Sequence, residues 1–155
     1  GGDFAADRLI PDCVRAAMKG KEVIVRSPHS TRPYQHILDC IAGYLKLAQM
    51  QYDKKYEGSY NFGPDESDFL ENGKVVDLFC EKWGNGIKRV DKSDGGPHEA
   101  CFLHLDCTKA KEALGWQPKI NIDKAVELTV EWTKEWLNKG NAGSIVDRQI
   151  AEYLK

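Results

Sequence analysis

The sequence has no long apolar run and no excess of charge of either sign. No apolar stretch approaches the roughly 18 residues of a membrane-spanning helix, so we expect no membrane partner. The 22 basic and 24 acidic residues give a formal net charge of −2, which excludes a strongly basic nucleic-acid-binding protein. The 41% hydrophobic and 30% charged residues are typical of a soluble globular domain.

The five cysteines are odd in number, and no two of them have Cys-x-x-Cys spacing. We interpret them as buried free thiols of a protein in a reducing compartment, which predicts a cytoplasmic location. A zinc site formed by Cys101, His104 and Cys107 is the alternative, although this spacing matches no common zinc signature.

The motifs of common nucleotide-binding and catalytic sites are also absent from the sequence. We find no glycine-rich dinucleotide fingerprint, no phosphate-binding P-loop, and neither the HExxH nor the GxSxG pattern. A Tyr-x-x-x-Lys pair is missing too, because the lysines that follow Tyr52, at positions 54 and 55, come too early. Taken alone, the chain is therefore expected to carry no catalytic residue.

What the sequence does contain is an alternation of helical and strand patterns, which predicts an α/β protein. Helices are predicted over residues 9–20, 37–51, 71–83, 107–114, 122–138 and from 144 onward. Strands are predicted over residues 22–26, 59–63, 87–91 and 102–106. Asp106 and Asn121 are expected to cap the helices that follow them, and Ser144 with Asp147 has the spacing of a capping box.

A pair of charged residues, Asp7 and Arg8, stands directly before the first predicted helix. The first N–H groups of a helix have no intrahelical partner and lie at the positive end of the helix dipole, so they bind phosphate readily. Arg8 would add a charge-assisted contact to a bound phosphate. The alternative interpretation is a solvated charge pair that helps to start the helix.

A second cluster lies at the predicted strand–loop–helix junction over residues 23–36. It holds four cationic or titratable side chains, Arg26, His29, Arg32 and His36. Arginine at the end of a strand can hold a diphosphate with two hydrogen bonds. Ordinary surface charge on a loop is the alternative.

A third cluster, at residues 95–100, combines two glycines with His98 and Glu99. Glycine lets a backbone approach a ligand closely, and the two polar side chains can bond ribose hydroxyls or a base. An ordinary turn explains the same residues without a ligand.

Four phrases occur together in the order in which they stand in a known family: Arg32-Pro33-Tyr34-Gln35-His36-Ile37-Leu38-Asp39, Tyr60-Asn61-Phe62-Gly63, Pro97-His98-Glu99 and Leu114-Gly115-Trp116-Gln117-Pro118. Through them the chain resembles the C-terminal half of the sugar-nucleotide branch of the extended short-chain dehydrogenases/reductases, whose fold is Rossmann-like. Within that branch, the phrases GGDFAADRLIPD and LDCTKA are most similar to the dehydratases that act on CDP-glucose.

The resemblance implies an NAD-dependent enzyme that removes water from CDP-glucose to give a 4-keto-6-deoxy sugar. It also implies that an NAD-binding half and a catalytic Tyr-x-x-x-Lys pair precede residues 1–155, which would form the nucleotide-sugar-binding portion and be inactive by themselves. Two alternatives remain, namely part of another nucleotide-sugar dehydratase or epimerase, and a stand-alone binding module without enzymatic activity.

The resemblance assigns nucleotide-binding roles to nine residues, namely Arg8, Leu9, Val23, Ile24, Val25, Arg26, Arg32, His98 and Glu99. The helix start at Arg8 and the side chain of Arg32 would hold the diphosphate. Residues 23–26 would line the cytosine pocket, with Arg26 a candidate base contact, and the 98–99 pair would face the ribose or the base. Gly95 departs from thymidine-linked relatives, which have an arginine there, so Arg8 and Arg32 would contribute more of the phosphate binding.

The resemblance also bears on association. In the family, the strand that matches residues 59–63 packs in a larger sheet formed by the other half of the enzyme. Without that half, we expect exposed apolar surface and self-association of this chain, and we expect the whole enzyme to be a homo-oligomer.

Overall fold

The computed structural model describes residues 4–52, 56–92 and 102–155. Helices and strands follow in the order α1 (Leu9–Met18), β1 (Val23–Val25), α2 (Ile37–Tyr52), α3 (Asn72–Trp83), β2 (Arg89–Asp91), α4 (Thr108–Leu114), α5 (Ile122–Leu137) and α6 (Ala142–Tyr153). A short 3₁₀ turn at Glu66–Asp68 precedes α3. The helices surround a short parallel strand pair, which confirms the predicted α/β class.

Strand β1 pairs with β2 in parallel along all three of its residues. Its sequence, Val-Ile-Val, is rich in the β-branched side chains that favour strands. Side chains alternate between the two faces of a strand. Val23 and Val25 are accordingly buried, whereas the side chain of Ile24 is 55% exposed.

The main core lies where α1, α3 and α5 pack around β1. The apolar residues of α3 recur at helical spacing, and Val75, Val76 and Phe79 are completely buried. The ring of Phe79 stacks on that of Trp83, with a centroid separation of 5.4 Å. This core fixes the relative positions of α1 and β1, which border the candidate site described below.

A smaller core forms around Phe62, whose ring meets Trp116 edge-on at a centroid distance of 5.0 Å. Gly43 of α2 lies directly against the same ring. A Cβ atom at this glycine would stand 2.4 Å from a ring carbon of Phe62, so only glycine permits this close approach. Helix α2 therefore packs closely on this smaller core at Gly43, and the ring of Tyr44 meets Phe62 edge-on at 5.6 Å.

The opposite face of α2 is apolar and exposed. Four side chains that recur at helical spacing, Ile37, Ile41, Tyr44 and Leu45, are 43% to 67% exposed. Apolar residues at helical spacing predicted this helix, but among the described residues only part of that spacing corresponds to buried side chains.

The strands predicted over residues 59–63 and 102–106 are wrong. A strand needs a neighbouring ladder, and the described residues offer none beside residues 59–63. Carbonyl groups of that segment accept from side chains instead, since Gln35 Nε2 donates to Phe62 O at 3.0 Å. In the second segment, Phe102 forms only an isolated bridge with Thr31.

The cap predicted at Asn121 is confirmed, since its side chain accepts from Lys124 N–H at 2.9 Å at the start of α5. At α4 the N-cap position is occupied by Cys107, and the carboxylate of Asp106, one residue earlier, accepts from Thr108 N–H at 2.9 Å. The capping box predicted from Ser144 is wrong. Helix α6 begins earlier, and the side chain of Asn141 accepts from Ser144 N–H at 3.1 Å.

Asp39 ties three segments together although its carboxylate is completely buried. It accepts hydrogen bonds from Lys119 N–H at 2.8 Å, Ile120 N–H at 3.2 Å and the hydroxyl of Tyr153 at 2.8 Å. Burial, with the bond to Asp39 adding to it, raises the pKa of the Tyr153 phenol, so this hydroxyl keeps its proton and remains a donor. The contact fastens α6 to α2 because a buried carboxylate needs its donors.

We expect Tyr153→Phe to lower the free energy of unfolding by about 1.5–3 kcal/mol, the usual value of one hydrogen bond to a charged group. Urea denaturation followed by circular dichroism measures this change. Tyr52→Phe is the matched control, because Tyr52 is 88% exposed and its change should leave the midpoint unaltered. Equal midpoints for Tyr153→Phe and the wild type would contradict the role assigned to Asp39.

Candidate functional site

An open cleft with a volume of about 660 Å³ lies between the start of α1 and strand β1. Its size falls in the range of pockets that take nucleotide-sized ligands. Seven of the nine residues singled out from the sequence line it, namely Arg8, Leu9, Val23, Ile24, Val25, Arg26 and Arg32. The fold thus brings together residues that are up to 24 positions apart in the chain (8 to 32).

The start of α1 forms one wall of the cleft. Arg8 occupies the N-cap position with extended backbone angles, φ −117° and ψ 134°. The first hydrogen bond of α1 runs from Asp12 N–H to Arg8 O at 2.8 Å. The N–H groups of Leu9 and Ile10 come before it and therefore have no acceptor within α1. The Arg8 side chain is exposed, and its guanidinium has no hydrogen bond or ion pair among the described residues.

Strand β1 forms a second wall, mainly through its main chain. The side chains of Val23 and Val25 point into the core, so these two residues present only backbone atoms to the cleft. Val23 N–H donates to Lys88 O, and Val25 O accepts from Lys92 N–H, both at 2.9 Å. Because peptide groups of alternate residues point to opposite sides of a strand, those of Ile24 face away from β2.

Arg26 follows β1 and forms an ion pair with Asp7 across the mouth of the cleft. The Arg26 guanidinium, through its hydrogen bond and its charge, holds the pKa of the Asp7 carboxyl below its usual value. Asp7 has a φ of 59°, in the left-handed region that aspartate adopts more readily than most residues. Both side chains are at least half exposed, 51% for Arg26 and 75% for Asp7.

Arg32 lies at the other side of the cleft, where its Nη1 donates to Thr31 O at 2.9 Å. Nearby, the hydroxyl of Tyr34 donates to Asn72 Oδ1 at 2.8 Å, and Asn72 Nδ2 donates to Ser27 O at 3.0 Å. These bonds connect the arginine segment, the start of α3 and the loop after β1.

Asn72 also belongs to the cleft, although the sequence did not single it out. It is buried at the first position of α3 and lines the cleft. The signal was an asparagine followed by glycine at the start of a predicted helix. A Cβ atom on Gly73 would stand 3.2 Å from Pro28 O, so the glycine allows α3 to meet the loop after β1 closely.

The two histidines of the 23–36 cluster do not line the cleft. His29 is exposed, with Nδ1 3.6 Å from the Glu71 carboxylate. His36 is buried, and burial lowers its pKa against the opposing charge of Asp39. The imidazole is therefore neutral at pH 7, and its Nδ1 accepts from Leu38 N–H at 3.3 Å.

His98 and Glu99, the last two residues singled out from the sequence, lie outside the described residues. Described residues near each end of that gap are hydrogen-bonded to a residue of the cleft or to its chain neighbour. Lys92 is hydrogen-bonded to Val25, as above, and Leu103 N–H donates to Thr31 O at 3.2 Å, next to Arg32.

The alternative zinc site is not assembled by the described residues. These contain no group of three His, Cys, Asp or Glu side chains placed to hold a metal ion. His104 instead stacks on Phe69, with a centroid distance of 3.7 Å. Burial raises the pKa of the Cys107 thiol, and Cys101 falls outside the described ranges.

The arrangement is suited to binding an anion rather than to acid–base chemistry. Three arginines, a helix start and a strand edge converge on one cleft, its carboxylates are ion-paired, and the hydroxyl of Tyr34, which lines it, donates to Asn72. In the parts of the chain described, no helix is both long and apolar enough to cross a membrane.

No protein-family model matches this chain. Its sequence is 36% identical over 156 residues to the CDP-glucose 4,6-dehydratase of Salmonella typhimurium. The match covers 99% of this chain and 44% of that protein, which confirms the resemblance predicted from the sequence.

The solved structures with a similar fold include the two that follow. The UDP-glucuronic acid 4-epimerase of Bacillus cereus, a mutant in complex with a substrate analogue and NAD, has a TM-score of 0.70 and 18% identity over 84% of this chain and 40% of its own. The dTDP-glucose 4,6-dehydratase of Bacillus anthracis, in complex with NAD, has a TM-score of 0.67 and 20% identity over 83% of this chain and 40% of its own. This chain thus has the fold of one part of such enzymes, and spans less than half the length of each relative.

Proposed function

Because this chain is similar over nearly its whole length to a CDP-glucose 4,6-dehydratase, we propose that it supplies the nucleotide-binding part of such an enzyme. The whole enzyme would convert CDP-glucose into CDP-4-keto-6-deoxyglucose with NAD as cofactor. The observation that carries the proposal is the cleft beside β1, since it gathers every described residue to which the sequence resemblance gave a nucleotide-binding role.

The described residues do not fit NAD itself. A dinucleotide site needs a glycine-rich turn directly after a strand, where the backbone approaches the pyrophosphate. Strand β1 is followed by Arg26, Ser27 and Pro28, and no glycine-rich turn opens α1 or α3 in the described ranges. In our proposal NAD and the catalytic groups belong to the remainder of the enzyme, and this chain holds the nucleotide end of the substrate.

The diphosphate would lie at the start of α1. The N–H groups of Leu9 and Ile10 are directed along the helix axis, and the helix dipole adds positive potential there. Arg8 adjoins this position, and Arg32 lines the same cleft. Guanidinium groups bind phosphate oxygens in pairs of hydrogen bonds, so two arginines and one helix start can satisfy a diphosphate.

The base would lie along β1. The outward peptide groups of Ile24 can bond the polar edge of a planar base, as the edge of a sheet bonds an added strand. The exposed Ile24 side chain offers an apolar contact beside them. Arg26 stands at the end of the strand and can donate to acceptors on the base. We place His98 and Glu99 at the ribose or the base, as the resemblance implies.

Binding the nucleotide contributes to the reaction although the nucleotide itself is unchanged by it. Energy from contacts remote from the reacting carbon atoms can orient the glucose ring against the catalytic groups. We therefore expect loss of a phosphate contact to lower the turnover of the whole enzyme as well as its affinity.

A second candidate, part of an enzyme acting on a uridine-linked sugar, is favoured by the fold likeness to the UDP-glucuronic acid 4-epimerase. The two candidates differ in the base that the cleft should prefer. Comparing the dissociation constants of CDP, UDP and dTDP separates them, and a preference for UDP would favour the epimerase relatives. A stand-alone binding module would bind none of the three with preference.

We expect Arg8→Ala and Arg32→Ala each to weaken CDP-glucose binding by about 10- to 100-fold, the effect of losing one charge-assisted hydrogen-bonded contact of about 1.5–3 kcal/mol. Isothermal titration calorimetry of this chain at low and moderate salt measures the effect, and binding should weaken as salt rises.

Arg148→Ala is the matched control, because this arginine is ion-paired with Glu131 and Glu152 on α5 and α6. It removes the same charge outside the cleft and should leave the affinity unchanged. If Arg32→Ala bound CDP-glucose as tightly as the wild type, Arg32 would not contact the diphosphate.

We also propose that the exposed face of α2 packs against the remainder of the enzyme, and that the isolated chain uses this face to self-associate. Sedimentation velocity over a range of concentrations should show association that Ile41→Glu and Leu45→Glu together abolish. Met18→Glu changes an apolar residue of comparable exposure, 53%, on α1 and is the control. A monomeric wild-type chain at all concentrations would contradict the proposal.

A further inference from the structure

The cleft contains two carboxylates, although carboxylates repel an anionic ligand. Among the described residues, Asp7 and Asp12 are the acidic side chains in its lining. Asp12 is neutralised within α1 by Arg15, three residues later. Asp7 instead faces Arg26 across the mouth of the cleft, beside the strand at which the base would lie.

Stability alone does not account for the Asp7–Arg26 pair. Both side chains are largely exposed, and exposed ion pairs contribute little to folding. Asp7 nevertheless adopts a left-handed backbone conformation, which most residues avoid. A conformation that is unfavourable in itself and brings little stability points to a role in binding.

The backbone before Asp7 is held in place by contacts outside the cleft. Arg15 Nη1 donates to Phe4 O at 2.8 Å, and its Nη2 donates to Ala5 O at 3.1 Å. The ring of Phe4 stacks on Trp136 of α5, with a centroid distance of 4.8 Å. Residues 4–5 are thereby fastened to both α1 and α5, so the backbone that leads to Asp7 is held before any ligand arrives.

We infer that Asp7 reads the base of the bound nucleotide together with Arg26, and that it favours cytosine over uracil; this inference rests on the proposed function. Asp7 is ionised at neutral pH and can only accept hydrogen bonds, whereas Arg26 can only donate them. Carboxylates accept from the amino group of cytosine, a pairing that also occurs in DNA recognition.

The two bases present different edges to this pair. Cytosine places its N4 amino donor beside the N3 acceptor, so Asp7 takes the first and Arg26 the second. Uracil has the O4 acceptor in place of the amino group, and its single N3–H donor is flanked by two carbonyl oxygens. An ionised carboxylate is therefore repelled by the edge of uracil and attracted to that of cytosine.

The test is the ratio of the dissociation constants of UDP and CDP for Asp7→Asn, measured by calorimetry on the full chain. Asparagine keeps the size and tolerates the left-handed backbone, but it adds an NH₂ donor that suits O4 of uracil. We expect the preference for CDP over UDP to fall by about tenfold, the discrimination typical of one specific base contact.

Glu22→Gln is the matched control, because it makes the same change of charge at an exposed residue beside β1 that does not line the cleft. It should leave the ratio unchanged. Asp7→Ala, which removes the acceptor without adding a donor, should weaken CDP binding and leave UDP binding unaltered or stronger. Thermal melting of each variant verifies that the fold is retained.

The outcomes separate the inference from the proposed function. If the wild type binds CDP and Asp7→Asn keeps the same preference for CDP, the role of Asp7 is refuted while the nucleotide-binding function stands. If the wild type binds neither CDP nor UDP, the proposed function of this chain is refuted and the inference falls with it.

Discussion

The burial of Val23 and Val25 beside α1 and α3 is the constraint on which the cleft depends. Side chains alternate along a strand, so burying these two residues turns Ile24 outward and leaves its peptide groups on the side away from β2. Arg26 follows directly after β1 and pairs with Asp7, next to the start of α1. A shift of one residue in β1 would bury Ile24 and expose both valines, and the wall that β1 forms would be lost.

Around this fixed strand, charge is arranged so that a ligand needs little reorganisation of the protein. The start of α1, Arg8 and Arg32 form a positive region, while Asp7 and Arg26 present an acceptor beside a donor. The segment that carries Asp7 is held by Arg15 and Trp136, and the segment that carries Arg32 is joined to α3 through Tyr34 and Asn72. Contacts of this kind, made before binding, reduce the entropy lost when a ligand binds.

Local sequence signals predicted the helices and the two paired strands well, because apolar periodicity and capping side chains such as Asn121 act within a few residues. They failed at residues 59–63, where the pattern suits a strand but a strand depends on a neighbour elsewhere in the chain. The gathering of Arg8, Arg26 and Arg32 followed from a family resemblance rather than from spacing. The pairing of Asp7 with Arg26 had no local signal, because 19 residues separate the two and only the packing of α1 on β1 brings them together.

The central claim is that a nucleotide diphosphate binds between the start of α1 and the outer edge of β1. Backbone amide chemical shifts of the ¹⁵N-labelled chain, recorded while CDP-glucose is added, test it most directly. We expect the largest shifts at Leu9, Ile10 and Ile24, which line the cleft and whose N–H groups have no acceptor in α1 or β2. Saturable shifts confined to α2 or α6, with these three amides unmoved, would contradict it.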